Sequence, residues 1–205
     1  MMRGYLRQIA NSVNRFMRLG GQATPKAPCI PLPGDLKARE AFLVEEVREM
    51  QMAIFNIETA YKNRDASEVE KDTELLQEYA DSLLDVIYVA VGSLLNAGIN
   101  PEVQEALMQK VCHANDMKFH RVGLTDGRYT ISELEEMYPE YKVEKTADVL
   151  GNPYAALRDP KTGKIKKPRG WTDPKVYMQE ILEKAIAFGE QNESYAAGDL
   201  FRKRN

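Results

Sequence analysis

Six acidic side chains in this sequence are spaced so that they can gather. EEVRE supplies Glu45, Glu46 and Glu49, and EYADSLLD supplies Glu78, Asp81 and Asp85. Glu46 and Glu49 stand three residues apart, as do Glu78 and Asp81, which puts both members of each pair on one side of a helix. Asp85 follows one turn after Asp81. If two such helices pack antiparallel, carboxylates from both face each other across the contact. Hard oxygen donors without His or Cys suit Mg2+ or Mn2+ rather than zinc. On an isolated surface helix an EExxE run is ordinarily a solvated face, and Arg39 and Arg48 are at hand as salt-bridge partners. That reading does not reach Asp81 and Asp85, which lie in a far greasier stretch.

At about 100° per residue, Leu76, Ala80, Leu83, Ile87, Ala90 and Leu94 cluster on one side of this second helix. The acids cluster opposite, together with Tyr88 and Gly92. The flanks are apolar too, so from Leu83 onward the helix reads as buried nearly all round. Asp85, and Asp81 with it, are therefore expected where water is scarce. An unpaired carboxylate there costs several kcal/mol or takes up a proton. Bound cations would relieve it.

NDMK adds Asn115 and Lys118, three residues apart, with Arg121 one further step along. An amide and a cation beside carboxylate-held metal are what a phosphate substrate wants, although a lysine at a helix end also simply complements the dipole. His113 and His120 do not build a di-iron site, because the residues three before them are Lys110 and Met117 rather than glutamates. Neither is followed by Asp, so an HD-type phosphohydrolase site is unsupported. The basic run 161–169 reads as a solvated turn or, alternatively, as a phosphate-approaching segment. Trp171, Phe42 and Tyr88 are candidate base-stacking rings set against ordinary core packing.

The elements that must position these groups are mostly helices. A first helix is expected over residues 2–19, with arginines along it and a docking role over the core. Residues 20–35, with four prolines and three glycines, read as linker. Asp35 is expected to cap a helix to about residue 63, with Leu36, Leu43, Val47, Met50, Ile54, Ile57 and Tyr61 as its apolar stripe. A charged connector leads to the next helix, 73–97, and Asn100-Pro101 opens a fourth to about residue 121. Beyond it the pattern expects a turn at Asp126-Gly127, a short helix capped by Ser132, irregular chain over 139–170 and a last helix from Asp173-Pro174 to about residue 188. The segmentation is thus 1–34 for helix and linker, 35–121 for an antiparallel helical core, and 122–205 for a C-terminal extension.

Composition sets the bounds. The chain has 205 residues, a formal net charge of −3, and 43% apolar against 29% charged residues. That describes a globular protein with no global basic field to attract nucleic acid or anionic lipid. Cys29 and Cys112 form neither a disulfide framework nor a CxxC metal pair, which suits a reducing cytoplasm. The N-terminus lacks the form of a secretory signal, and no apolar run has the length and freedom from charge of a membrane span.

ExxE at Glu46 and Glu49, ExxD at Glu78 and Asp81, and NxxK at Asn115 and Lys118, in that order and all on expected helices, resemble the MazG-like all-α nucleoside triphosphate pyrophosphohydrolases. The same superfamily holds the dimeric dUTPases and the phosphoribosyl-ATP pyrophosphohydrolases. ADSLLDVIYVAVGSLLNAGI followed by HANDMK is similar above all to small phage and bacterial members, and GKIKKPRGWTDP resembles a segment after the core in some of them. The resemblance covers residues 38–121 firmly and the rest loosely. Two features depart from the simplest pattern: 28 residues separate Glu49 from Glu78, and the second acid motif can also be registered as Asp81 to Asp85.

The resemblance implies an all-α antiparallel bundle, homodimeric or homotetrameric, that hydrolyses a (deoxy)nucleoside triphosphate to monophosphate and pyrophosphate with Mg2+ or Mn2+. It implies Glu46, Glu49, Glu78 and Asp81 as metal ligands, Glu46 and Lys118 among the catalytic groups, and Glu45 or Asp85 as general base or supporting group. Asn115, Lys118 and Arg121 would hold phosphates, with Asp85 and Tyr88 also toward the substrate. Some phage relatives supply dGMP, so guanine nucleotides come first for testing. The reading from a different class is a non-catalytic helical regulator that binds a nucleotide or a partner without turnover.

Overall fold

A computed structural model describes residues 4–22, 24–123 and 129–202. Within them the chain forms two compact units, residues 1–105 with 182–205, and residues 106–181. The expected turn at Asp126-Gly127 lies outside the described residues.

The first unit is helical. α1 (Tyr5–Leu19) buries Ala10, Val13 and Met17, one helical face, against Val91 and Leu95 of α4 (Thr73–Asn96), with Leu6, Ile9 and Tyr88 around them. Removing each large apolar side chain of such a face from water contributes about 1.5–3 kcal/mol, which suffices to dock a short helix. Gly92 of α4 makes the approach possible. A Cβ there would stand 3.2 Å from Nη1 of Arg39 and 3.5 Å from side-chain atoms of Val13 and Met17. The linker is pinned where the Cys29 N–H donates to the Ala97 carbonyl at 2.9 Å. At Gly98, φ is +68° and a Cβ would collide with the Ala27 carbonyl, so only glycine serves.

α2 (Pro33–Asn63) begins two residues before the expected cap. Pro33 occupies the first turn, and Asp35 lies within that turn, where its charge favours the dipole without capping it. The expected apolar stripe is not a buried one. Ala53 is the buried residue of α2, while Leu36, Ile54 and Tyr61 are exposed. The connector contains a four-residue α3 (Ala66–Val69) capped by Asp65, and Asp72 then caps α4 by accepting from Glu74 and Leu75 N–H at 3.1 Å each. α2 packs on α4. The expectation that α4 is buried all round is corrected: Leu76 and Leu84 are each 62% exposed, and Ile87 and Leu94 are exposed as well. With α1 and α2 packed on it, α4 still has one side uncovered. Asp81 is accordingly exposed rather than starved of water.

α5 (Pro101–Asp116) starts at the Asn100-Pro101 signal, where the Asn100 side chain accepts from Val103 N–H at 3.0 Å. Gln104, 2% exposed, ties the helix to the preceding turn by donating to the Ile99 carbonyl at 2.8 Å. The helix stops at Asp116, short of the expected residue 121, so Lys118 lies in the turn that follows and Arg121 on a strand. The single i, i+3, i+6 helical row is therefore broken after Asn115.

The second unit contains β1 (Phe119–Arg121), α6 (Ile131–Met137), β2 (Lys142–Ala147) and β3 (Pro153–Arg158), in an antiparallel sheet ordered β1-β3-β2. Chain expected to be irregular is thus partly sheet. The face bearing Val143, Ala155 and Leu157 packs with Leu134 and Tyr138 of the α6 region and with Val122. Thr130, not Ser132, caps α6, in a reciprocal box with Glu133. α7 (Pro174–Arg202) extends well past the expected end. No single helix among the described residues is long and apolar enough to cross a membrane.

Candidate functional site

The acids come together on the packed pair α2 and α4. Asn56 Nδ2 reaches Glu78 Oε2 at 3.4 Å, and Glu49 gathers with Asp85. From the second pairing to the first, α2 advances seven residues while α4 retreats seven. The two helices are therefore antiparallel, as the sequence predicts, and Asp81 lies level with Ala53. Along this contact Glu46, Glu49 and Asp85 each offer a carboxylate oxygen, and these oxygens lie within 4.8 Å of one another. None of the three is buried.

Partial burial pushes the Glu46 carboxyl above the ordinary glutamate range. Asp85, Glu49 and Glu45 push it the same way, in that order. Among the described residues, no Lys or Arg forms an ion pair with any of the six acids. Arg39, one proposed salt-bridge partner, is engaged elsewhere. Its guanidinium donates to Gln22 Oε1 at 2.6 Å and lies 5.9 Å from the Phe42 ring centre. Burial lowers its pKa and Asp35 partly restores it. Of the ordinary explanation of an EExxE run, the solvated face holds for Glu45 and Glu49, which are exposed, but the salt bridges are missing among the described residues.

This donor set fits a hard divalent cation. Three carboxylates from two helices provide oxygen ligands at mutual distances that one ion can span, and their uncompensated repulsion favours anything positive between them. Glu46 and Glu49 are thus brought together as the spacing predicts. The third member is Asp85, from the alternative registration, while Glu78 and Asp81 fall outside the trio. Glu45 is exposed and adjacent in sequence, and it contributes to the field at Glu46.

Tyr88 packs against the α1 core, edge-on to Phe16 with ring centres 5.9 Å apart, so its ring is committed to packing. Phe42 is exposed beneath Arg39.

In the second unit, Lys118 Nζ donates to Asn115 Oδ1 at 2.7 Å, so the NxxK pair closes on itself although only Asn115 is helical. Arg121 sits on β1, exposed. Sequence reasoning left the basic run open, and the structure anchors its end. Trp171 Nε1 donates to the Ala114 carbonyl at 2.7 Å, and Lys167 lies over the indole, 3.7 Å from its centre. Lys166 is paired with Asp159, and the Arg169 guanidinium lies over the Tyr138 ring. The local signal for this anchor is the chain's lone tryptophan among lysines.

The family described as phosphoribosyl-ATP pyrophosphohydrolase matches residues 13–115, just over half of the chain, from the second half of α1 through nearly all of α5 and including all six acids. No curated protein matches the sequence. The acid-bearing antiparallel helices lie within that match, and the chain belongs to the phosphoribosyl-ATP pyrophosphohydrolase family, part of the MazG-like all-α pyrophosphohydrolase superfamily.

Proposed function

We propose that this chain hydrolyses a (deoxy)nucleoside triphosphate to the monophosphate and pyrophosphate, using a divalent cation, Mg2+ before Mn2+. The observation that carries the reading is the convergence of Glu46, Glu49 and Asp85, with no Lys or Arg ion-paired to them among the described residues. The family's activity is pyrophosphohydrolysis and it is typically metal-dependent, which supports the same reading.

Glu46, Glu49 and Asp85 would hold the cation, with Glu78 and Asp81 extending the acid row along α4. When bound, the cation neutralises charge on the substrate phosphates. Glu45 lies outside the trio and is the carboxylate left to take a proton from the attacking water. The cluster's negative field repels a bare triphosphate, so turnover requires the cation. Within the second unit, Lys118 and Asn115 form a self-paired ammonium and amide and Arg121 an exposed cation, groups that the resemblance assigns to phosphate. Tyr88 has no role in this scheme. A second copy of the chain covers the exposed side of α4, giving a dimer or a tetramer in the cytoplasm.

The test is to incubate the protein with each NTP, each dNTP and phosphoribosyl-ATP in Mg2+, and to measure monophosphate and pyrophosphate. Guanine nucleotides are tried first. Release is expected to depend on the cation and to fall roughly a hundredfold or more in Glu49→Ala and Asp85→Ala. Orthophosphate as product would overturn the reaction assigned. Nucleotide binding without release under any divalent ion would instead favour the non-catalytic regulator.

A further inference from the structure

The first unit contains a second polar cavity, of about 280 Å3, that shares no residue with the acid cluster. One wall is the face of α1 carrying Asn11, Asn14 and Arg18. The others are the linker at Thr24 and Lys26 and the start of α5 at Asn100. What distinguishes it is which hydrogen-bonding groups are already used. Three of the side-chain acceptors are spoken for: Asn14 Oδ1 and Thr24 Oγ1 both accept from Arg18 Nε, at 3.2 and 3.3 Å, and Asn100 Oδ1 accepts from Val103 N–H. What remains is mostly donors. These are the Arg18 guanidinium fork, held in place through Nε, the Lys26 ammonium, and the amide N–H groups of Asn11, Asn14 and Asn100.

Charge points the same way. Glu102 also lines the cavity, but its carboxylate is ion-paired with Arg7, so Arg18 and Lys26 set the local sign. The positive end of the α5 dipole opens onto the same space and adds to it. A cavity rich in donors and positive charge wants a ligand made of acceptors, and about 280 Å3 is room enough for a phosphate or a pyrophosphate.

We propose that this cavity is a binding site for a small phosphate-type oxyanion, inorganic phosphate or pyrophosphate. That pyrophosphate is generated close at hand rests on the pyrophosphohydrolase reading, whereas the site itself does not. Bound there, the anion bridges α1, the linker and the α5 start.

The experiment is calorimetric titration of the full chain in EDTA at constant ionic strength, with sodium pyrophosphate and, separately, sodium phosphate. Saturable binding at one site per chain is expected for at least one of them, weakened roughly tenfold or more in Arg18→Gln and in Lys26→Gln and unchanged in Glu49→Ala. Tighter binding of pyrophosphate identifies the occupant as reaction product; tighter binding of phosphate identifies it as the free ion. Absence of binding to the wild type, indifference to both Arg18→Gln and Lys26→Gln, or loss in Glu49→Ala would each overturn the site. If Arg18→Gln shows a lowered urea midpoint, Lys26→Gln decides, since Lys26 is exposed. Turnover without anion binding removes this site and leaves the catalytic reading intact, and binding without turnover does the reverse.

Discussion

Glu46 is the residue on which the electrostatics of the acid cluster converge. Its raised pKa, caused first by desolvation and then by repulsion from Asp85, Glu49 and Glu45, means that the folded chain without a cation carries a cost whenever this group is ionised. That cost is full above the raised value and vanishes below the ordinary glutamate range. Lowering the pH through that interval should therefore stabilise the cation-free protein with respect to this one group. Glu46→Gln removes the repulsion outright. It should raise the melting temperature of the EDTA-treated protein at pH 7 by about 1–3 °C, and the Mg2+ stabilisation that the proposed cation site predicts for the wild type should be lost in the variant. Melts of both proteins with and without Mg2+ check this; a variant that melts lower in EDTA, or that keeps the full Mg2+ effect, contradicts it. At this scale the sequence was legible up to one ambiguity. ExxE named Glu46 and Glu49 correctly as neighbours, but Asp81 and Asp85 are both reachable from the same helix. The choice between them is set by how α2 and α4 slide past each other. That depends on packing between residues distant in sequence, with Ala53 level with Asp81, which periodicity does not contain.

The helices themselves were readable because their signals are local. Pro101 and Pro174 open α5 and α7 where the sequence expects them, whereas Pro33 starts α2 ahead of the expected Asp35 cap and Thr130 replaces Ser132 as the cap of α6, shifts of only two residues. The strands were not readable, because KVEKTA and PYAALR are held by pairing with each other and with β1, and an edge strand dense in charge lacks clear alternation. For α4 the sequence was informative in a less direct way. It showed a helix apolar nearly all round, and the structure shows which side α1 and α2 leave uncovered: Leu76, Leu84, Ile87 and Leu94. On the dimer reading, Leu84→Glu together with Ile87→Glu puts charge into the partner contact. Sedimentation velocity should then show the wild type as a dimer or tetramer and the double variant as a monomer, with helical circular dichroism retained. A wild type that sediments as a monomer at tens of micromolar rejects this use of the stripe.

At the scale of the molecule, the two units have different characters. One is helix against helix around Val13, Met17, Val91 and Leu95; the other is a small sheet closed by α6 around Leu134 and Leu157. Their cores share no residue, so their unfolding can be followed separately if a probe belongs to one alone. The chain has a single tryptophan, Trp171, and its indole N–H is held by the Ala114 carbonyl within the smaller unit. Its emission is therefore an optical tag placed by the fold itself. A fluorescence melt should report the sheet-bearing unit, while ellipticity at 222 nm, dominated by α1, α2 and α4, reports the bundle. Mg2+ should move the ellipticity midpoint at least as far as the fluorescence midpoint, since the acids that would hold it carry no tryptophan within their own unit.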